Sequence, residues 1–87
     1  MKNTLIIDDA MFMRKTLRSI LEKQGCTVVG EGASGLELLT LYPKLMPDLV
    51  TLDITMPEMN GLEVLKKLKS TYPDARLTLP TAEAGGF

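Results

Sequence analysis

Leu5-Ile6-Ile7-Asp8-Asp9 and, further along, Asp48-Leu49-Val50-Thr51-Leu52-Asp53 decide the fold. Each is a short apolar run, rich in β-branched residues, that stops on an acid. Runs of this kind, without polar alternation, read as strands buried on both faces, the habit of parallel sheets covered by helices. After the first run, Met13, Leu17, Ile20, Leu21 and Gln24 recur on one face of a helix over roughly 10–24, while Arg14, Lys15 and Arg18 face elsewhere. Asp9 is placed to cap that helix and Gly25 to stop it. Cys26-Thr27-Val28-Val29 reads as a second strand, with Cys26 a small buried hydrophobe, and residues 30–35 as a Gly- and Ser-rich loop. A second helix carries Leu36, Leu38, Leu39, Leu41 and Tyr42, and Pro43 should kink or shorten it.

Beyond the second acid-terminated strand, Met56-Pro57-Glu58-Met59-Asn60-Gly61 is a turn, with Asn60 the cap of a third helix over about 61–71. Leu65, Leu68 and Tyr72 form its inner face and Lys66, Lys67 and Lys69 its solvated one. Pro73-Asp74 breaks that helix, and Arg76-Leu77-Thr78-Leu79 begins a fourth strand. The order is βαβαβαβ. Right-handed crossovers turn it into an α/β parallel sheet with helices on both faces, one domain over residues 1–87.

Composition narrows the chemistry. Ten Lys and Arg against eleven Asp and Glu, in 87 residues, give a net charge of −1. Non-specific nucleic-acid binding needs a basic stripe, so no direct nucleic-acid role is expected. The chain has no His, which removes Ser-His-Asp and Cys-His catalysis and imidazole metal sites. One Cys excludes an internal disulfide and a Cys-based zinc cluster. No apolar run approaches the ~20 residues that span a bilayer, and no signal peptide follows Met1, so a cytoplasmic protein without membrane insertion is expected.

In an open parallel sheet, ligands bind beyond the carboxyl ends of the strands. Asp8, Asp9 and Asp53 stand there, on two strands expected to be neighbours. Strand-terminal acids often serve only as caps or solvated turn residues, and that explanation suffices for any one of them. Three together repel one another and resist ionisation unless a cation joins them. A hard divalent ion such as Mg²⁺, which also organises phosphate oxygens, resolves the repulsion. Thr81, after the fourth strand, would direct its hydroxyl into the same crevice. Pro57 and Gly61 shape the loop that follows Asp53.

Ile6-Ile7-Asp8-Asp9, Leu52-Asp53 with Met56-Pro57 and Gly61, and Thr81-Ala82 together resemble the receiver domain of two-component response regulators. The stretches 9–14 and 53–61 look most like its stand-alone chemotaxis type. The resemblance covers residues 3 to about 84. It implies a flavodoxin-like doubly wound sheet of order 2-1-3-4, incomplete here. It further implies that Asp53 accepts a phosphoryl group from a sensor histidine kinase or phosphotransfer protein. Asp9 would bind Mg²⁺ directly, Asp8 largely through water, the backbone carbonyl of Thr55 would complete the ligands, and Thr81 would be the switch hydroxyl. The outcome implied is altered binding of a downstream signalling or motor target. A receiver of this family continues through a fourth helix, a fifth strand ending in Lys and then Pro, and a fifth helix. No Lys follows Lys69, and Pro80 stands at an apolar strand position. A C-terminally truncated receiver is the resulting expectation, with a possible homodimer through surface left uncovered around Met13, Leu17 and Ile20.

Two alternatives stand beside it. A receiver fragment unable to take up phosphate would act only as an interaction or oligomerisation module. Gly30-Glu31-Gly32-Ala33-Ser34-Gly35 also satisfies G-x-G-x-x-G after a strand, the outline of a dinucleotide-binding half-domain using Gly30, Gly32 and Gly35. That reading leaves Asp8-Asp9 unexplained.

Overall fold

The computed structural model describes residues 2–53 and 61–78. Seven elements follow in the order β1 (Asn3–Ile7), α1 (Met11–Lys23), β2 (Thr27–Gly32), α2 (Gly35–Leu45), β3 (Leu49–Leu52), α3 (Gly61–Thr71) and β4 (Leu77–Thr78). All strand pairs are parallel, in the order β2-β1-β3-β4. The chain order is the one expected from the apolar runs, and the 2-1-3-4 sheet is the one the receiver resemblance implies.

Alternation along the strands sorts the core onto two faces. Leu5 and Ile7 of β1 and Val50 and Leu52 of β3 join Leu38 and Tyr42 of α2, Val64 and Leu68 of α3, and Ala75 in one buried cluster. The rings of Tyr42 and Tyr72 lie 4.8 Å apart and tilted, which locks the α2–α3 side. The alternate positions Thr4, Ile6 and Thr51 are also buried but stand outside that cluster, on the α1 side. There α1 contributes no buried residue. Leu17 and Leu21 are half-buried, and Met13 and Ile20 remain 39% and 47% exposed.

Several local expectations need correction. Asp9 does not cap α1; the N-cap is Ala10, without a side-chain bond, and the Ala10 N–H donates instead to Asp8 Oδ1 at 2.9 Å. Cys26 precedes β2 and is only half-buried, and β2 runs on to Gly32. The strand therefore absorbs the first half of what read as a loop. Pro43 does not stop α2, which continues to Leu45. It ends on Met46 in the left-handed region (φ 41°), whose N–H reaches Tyr42 O at 2.7 Å. A non-glycine residue there costs about 1–2 kcal/mol, which the burial of Tyr42 and Leu38 offsets. Leu36 is exposed, and Val64 enters the core beside Leu68. Lys69 is not simply solvated: its Nζ donates to the carbonyls of Pro73 and Ala75, at 3.1 and 2.7 Å, closing the chain after α3. The start of α2 has a capping pair that the Ser34-x-x-Glu37 spacing announces and the sequence reading passed over. Ser34 Oγ accepts from Glu37 N at 3.2 Å, and the Glu37 carboxylate accepts from Ala33 N.

Candidate functional site

The ladder between β1 and β3 builds the site. Ile7 pairs with Leu52, so the acid after each strand emerges beside the other. Main-chain bonds carry the alignment one residue further: Asp53 N donates to Ile7 O, and Asp8 N to Gly32 O, both at 3.0 Å. Register thus places Asp8 and Asp53, since a slip by one residue would turn each to the opposite face. Asp9 follows in the turn before α1. One carboxylate oxygen from each of Asp8, Asp9 and Asp53 lies within 4.8 Å of the others.

Asp8 is only 4% exposed, Asp53 half-buried and Asp9 exposed. Burial pushes the Asp8 carboxyl above its ordinary range. The Ala10 N–H and the Arg14 guanidinium pull it back, while the charges of Asp53 and Asp9 push it further up. Three acids held by the backbone at this spacing form an oxygen-lined site that a hard divalent cation would neutralise. The donor set fits Mg²⁺, which characteristically uses one or two carboxylates and keeps several waters.

The three acids are those singled out from the strand ends, and the structure brings all three together. The Thr55 carbonyl and the Thr81 hydroxyl lie outside the described residues, as do Pro57, Asn60 and Pro80. The glycine fingerprint is not a phosphate-cradling loop. Gly30 and Gly32 are strand residues, paired with Leu5 and Ile7, and Gly35 opens α2. Their smallness serves packing. A Cβ on Gly32 would meet Ile7 Cδ1 at 2.8 Å and Glu37 Cβ at 3.1 Å, and one on Gly30 would meet Leu45 Cδ1 at 2.8 Å.

Arg14 and Arg18, placed away from the core by periodicity, are instead tied to the sheet. Arg14 Nε lies 3.3 Å from Glu31 Oε1, and Arg18 Nε donates to Glu31 Oε2 at 2.6 Å. Arg14 Nη1 also donates to the backbone carbonyl of Asp8 at 2.6 Å. The available signal was a basic pair one helical turn apart facing a lone acid at the end of a neighbouring strand.

Comparison with known proteins agrees with this geometry. The family model described as "Response regulator receiver domain" matches residues 4–85. The chain is 46% identical over 81 residues to the chemotaxis protein CheY of Thermotoga maritima, covering 93% of this chain and 68% of that protein. Among solved structures, the response regulator domain of Thermotoga maritima CheB superposes with a TM-score of 0.82 at 37% identity, over 90% of this chain and 58% of that one. CheY from Borrelia burgdorferi, in a CheX-CheY-BeF3-Mg+2 complex, gives 0.76 at 34% identity, over 90% and 60%. The chain therefore spans about two thirds of its curated chemotaxis relative and less than two thirds of these solved chains. No helix among the described residues is long and apolar enough to cross a membrane. With the sheet order, the acid triad and the family match in agreement, this chain belongs to the response regulator receiver domain family, and within it is similar to chemotaxis receivers.

Proposed function

We propose that the chain is a phosphoacceptor of a two-component relay, with Asp53 as the acceptor. The observation that carries this reading is the convergence of the Asp8, Asp9 and Asp53 carboxylates within 4.8 Å at adjacent strand ends of a receiver sheet. An oxygen of Asp53 forms the bond to phosphorus as the N–P bond of a phosphohistidine breaks, and the donor imidazole leaves with a proton. Asp8, Asp9 and Asp53 would hold the cation, with the Thr55 carbonyl as a further ligand. Bound Mg²⁺ supplies the positive charge that offsets the incoming phosphoryl oxygens. The Thr81 hydroxyl then meets the aspartyl phosphate and changes the surface offered to a signalling or motor target. The donor is a sensor histidine kinase or phosphotransfer protein, the setting is cytoplasmic chemotaxis-type signalling, and residues 1–87 act as one domain. The chain assists its own phosphorylation and turns over no other substrate.

Incubation with acetyl phosphate and MgCl₂ should label the parent, with the aspartyl phosphate mapped to Asp53. Asp53→Asn should carry no label. Label that persists in that variant moves the acceptor elsewhere.

The surface of α1 favours a second reading, a receiver fragment that associates without phosphate. Met11, Phe12, Met13 and Ile20 are all exposed on that helix, Phe12 by 77%. A homodimer by sedimentation, together with no uptake of label, would favour it; a labelled monomer would dismiss it.

A further inference from the structure

We infer that Arg14 is a positioning residue of the acidic site, holding the β1–α1 turn so that Asp8 and Asp9 face Asp53. The inference rests on the reading of the triad as a cation site and adds to it a residue that makes no contact with the cation. Two ties fix the Asp8 peptide, and both originate on β2. On one side, Gly32 O accepts the Asp8 N–H at 3.0 Å. On the other, Glu31 grips Arg14, whose Nη1 donates to Asp8 O at 2.6 Å. Neighbouring residues of one strand thus clamp the N–H and the carbonyl of the residue that begins the acidic turn.

Apolar packing supplies little of this restraint at the start of the helix, since the half-buried Leu17 and Leu21 stand further along α1. No residue of α1 is buried, and its N-cap, Ala10, has no side-chain bond. Polar ties must hold the start of the helix in place, and the Arg14 side chain, 16% exposed, is well placed to provide one. A planar guanidinium can serve the carboxylate and the carbonyl together, which a point-charge ammonium does poorly. Arg18 braces the far side of the same carboxylate, and its Nη1 also lies 3.6 Å from Glu22 Oε2.

The sign of the effect separates positioning from charge. A guanidinium near three acids repels an incoming dication, so through charge alone its removal would tighten Mg²⁺ binding. Loss of positioning weakens it. Partners that orient metal ligands commonly cost tenfold or more in affinity when removed. MgCl₂ titration by calorimetry should therefore find Arg14→Gln weaker than the parent by roughly 10-fold. Lys15→Gln removes an equal charge from an exposed position and should not weaken binding. Glu31→Gln loosens the grip on Arg14 but also removes a negative charge, which by itself weakens dication binding, so this variant is read by exchange at Ala10, which should quicken as in Arg14→Gln. Arg14→Lys should lie between Arg14→Gln and the parent, which keeps the test available if Arg14→Gln does not fold.

A metal-free readout accompanies the titration. Hydrogen exchange at the Ala10 amide, bonded to Asp8 Oδ1, should quicken in Arg14→Gln and not in Lys15→Gln. Unchanged or tighter Mg²⁺ binding with unchanged Ala10 exchange overturns the inference and leaves the cation site standing. A parent that binds no Mg²⁺ removes the cation site itself, while the exchange result still decides whether Arg14 holds the turn.

Discussion

On the α2–α3 face of the sheet, Leu38, Tyr42, Val64 and Leu68 are buried against Leu5, Ile7, Val50 and Leu52; on the other face, α1 has no buried residue at all. Both faces carry amphipathic helices, and the apolar spacing of α1 is as regular as that of its counterparts. Periodicity tells which side of a helix turns toward a sheet, not how much covers it. The first face is held by packing. The second combines the half-buried Leu17 and Leu21 with the ties of Arg14 and Arg18 to Glu31, and its leading end carries the turn with Asp8 and Asp9. The acidic triad thus sits beside the less packed side, where strand register and polar ties set the geometry.

The largest test of this contrast is a pair of truncations. Leu68→Ala, at a position with no solvent exposure, should cost about 3 kcal/mol in urea unfolding, through lost transfer energy and a cavity. Ile20→Ala on α1, already 47% exposed, should cost less than about 1 kcal/mol. Equal losses at the two positions would erase the distinction between the faces.

A smaller effect concerns the acidic end of the second face. Asp8 has a raised carboxyl in the folded protein, so the native state holds its proton more tightly than the unfolded chain does. Its contribution to stability is complete below the ordinary value of 3.8 and is lost as pH rises through the elevated folded value. Without divalent cation, melting of the parent should therefore decline across that window. Asp8→Asn keeps an oxygen acceptor for the Ala10 N–H but no titrating charge, so its decline should be shallower and its neutral-pH melting point higher. A parallel pH profile for the two proteins would show that neither burial nor the neighbouring acids raise the Asp8 carboxyl.

Much of this was legible from residue order. Apolar runs ending on acids mark β1 and β3, and the expected adjacency of those strands puts Asp8 and Asp53 at neighbouring strand ends; the register itself is seen only in the fold. Gly25 and Pro73 also ended their helices near where expected. What escaped depended on contacts between distant segments. β2 extends through Gly30 and Gly32 because β1 pairs with it and α2 crowds it, neither of which a glycine count reveals. α2 passes Pro43 because the residues before it are anchored in the core. Periodicity assigned Arg14 only to a face away from the core, because its acceptors are a backbone carbonyl and a side chain on another element.

The central claim, that the ends of β1 and β3 form one cation-binding site, is tested most directly by following backbone amide resonances during MgCl₂ titration. The account predicts saturable shifts confined to Asp8, Asp9, Ala10, Asp53 and the neighbouring end of β2, and their loss in Asp9→Ala. Shifts absent from these residues, or centred instead on Asp48 and Asp74 away from the triad, would contradict it.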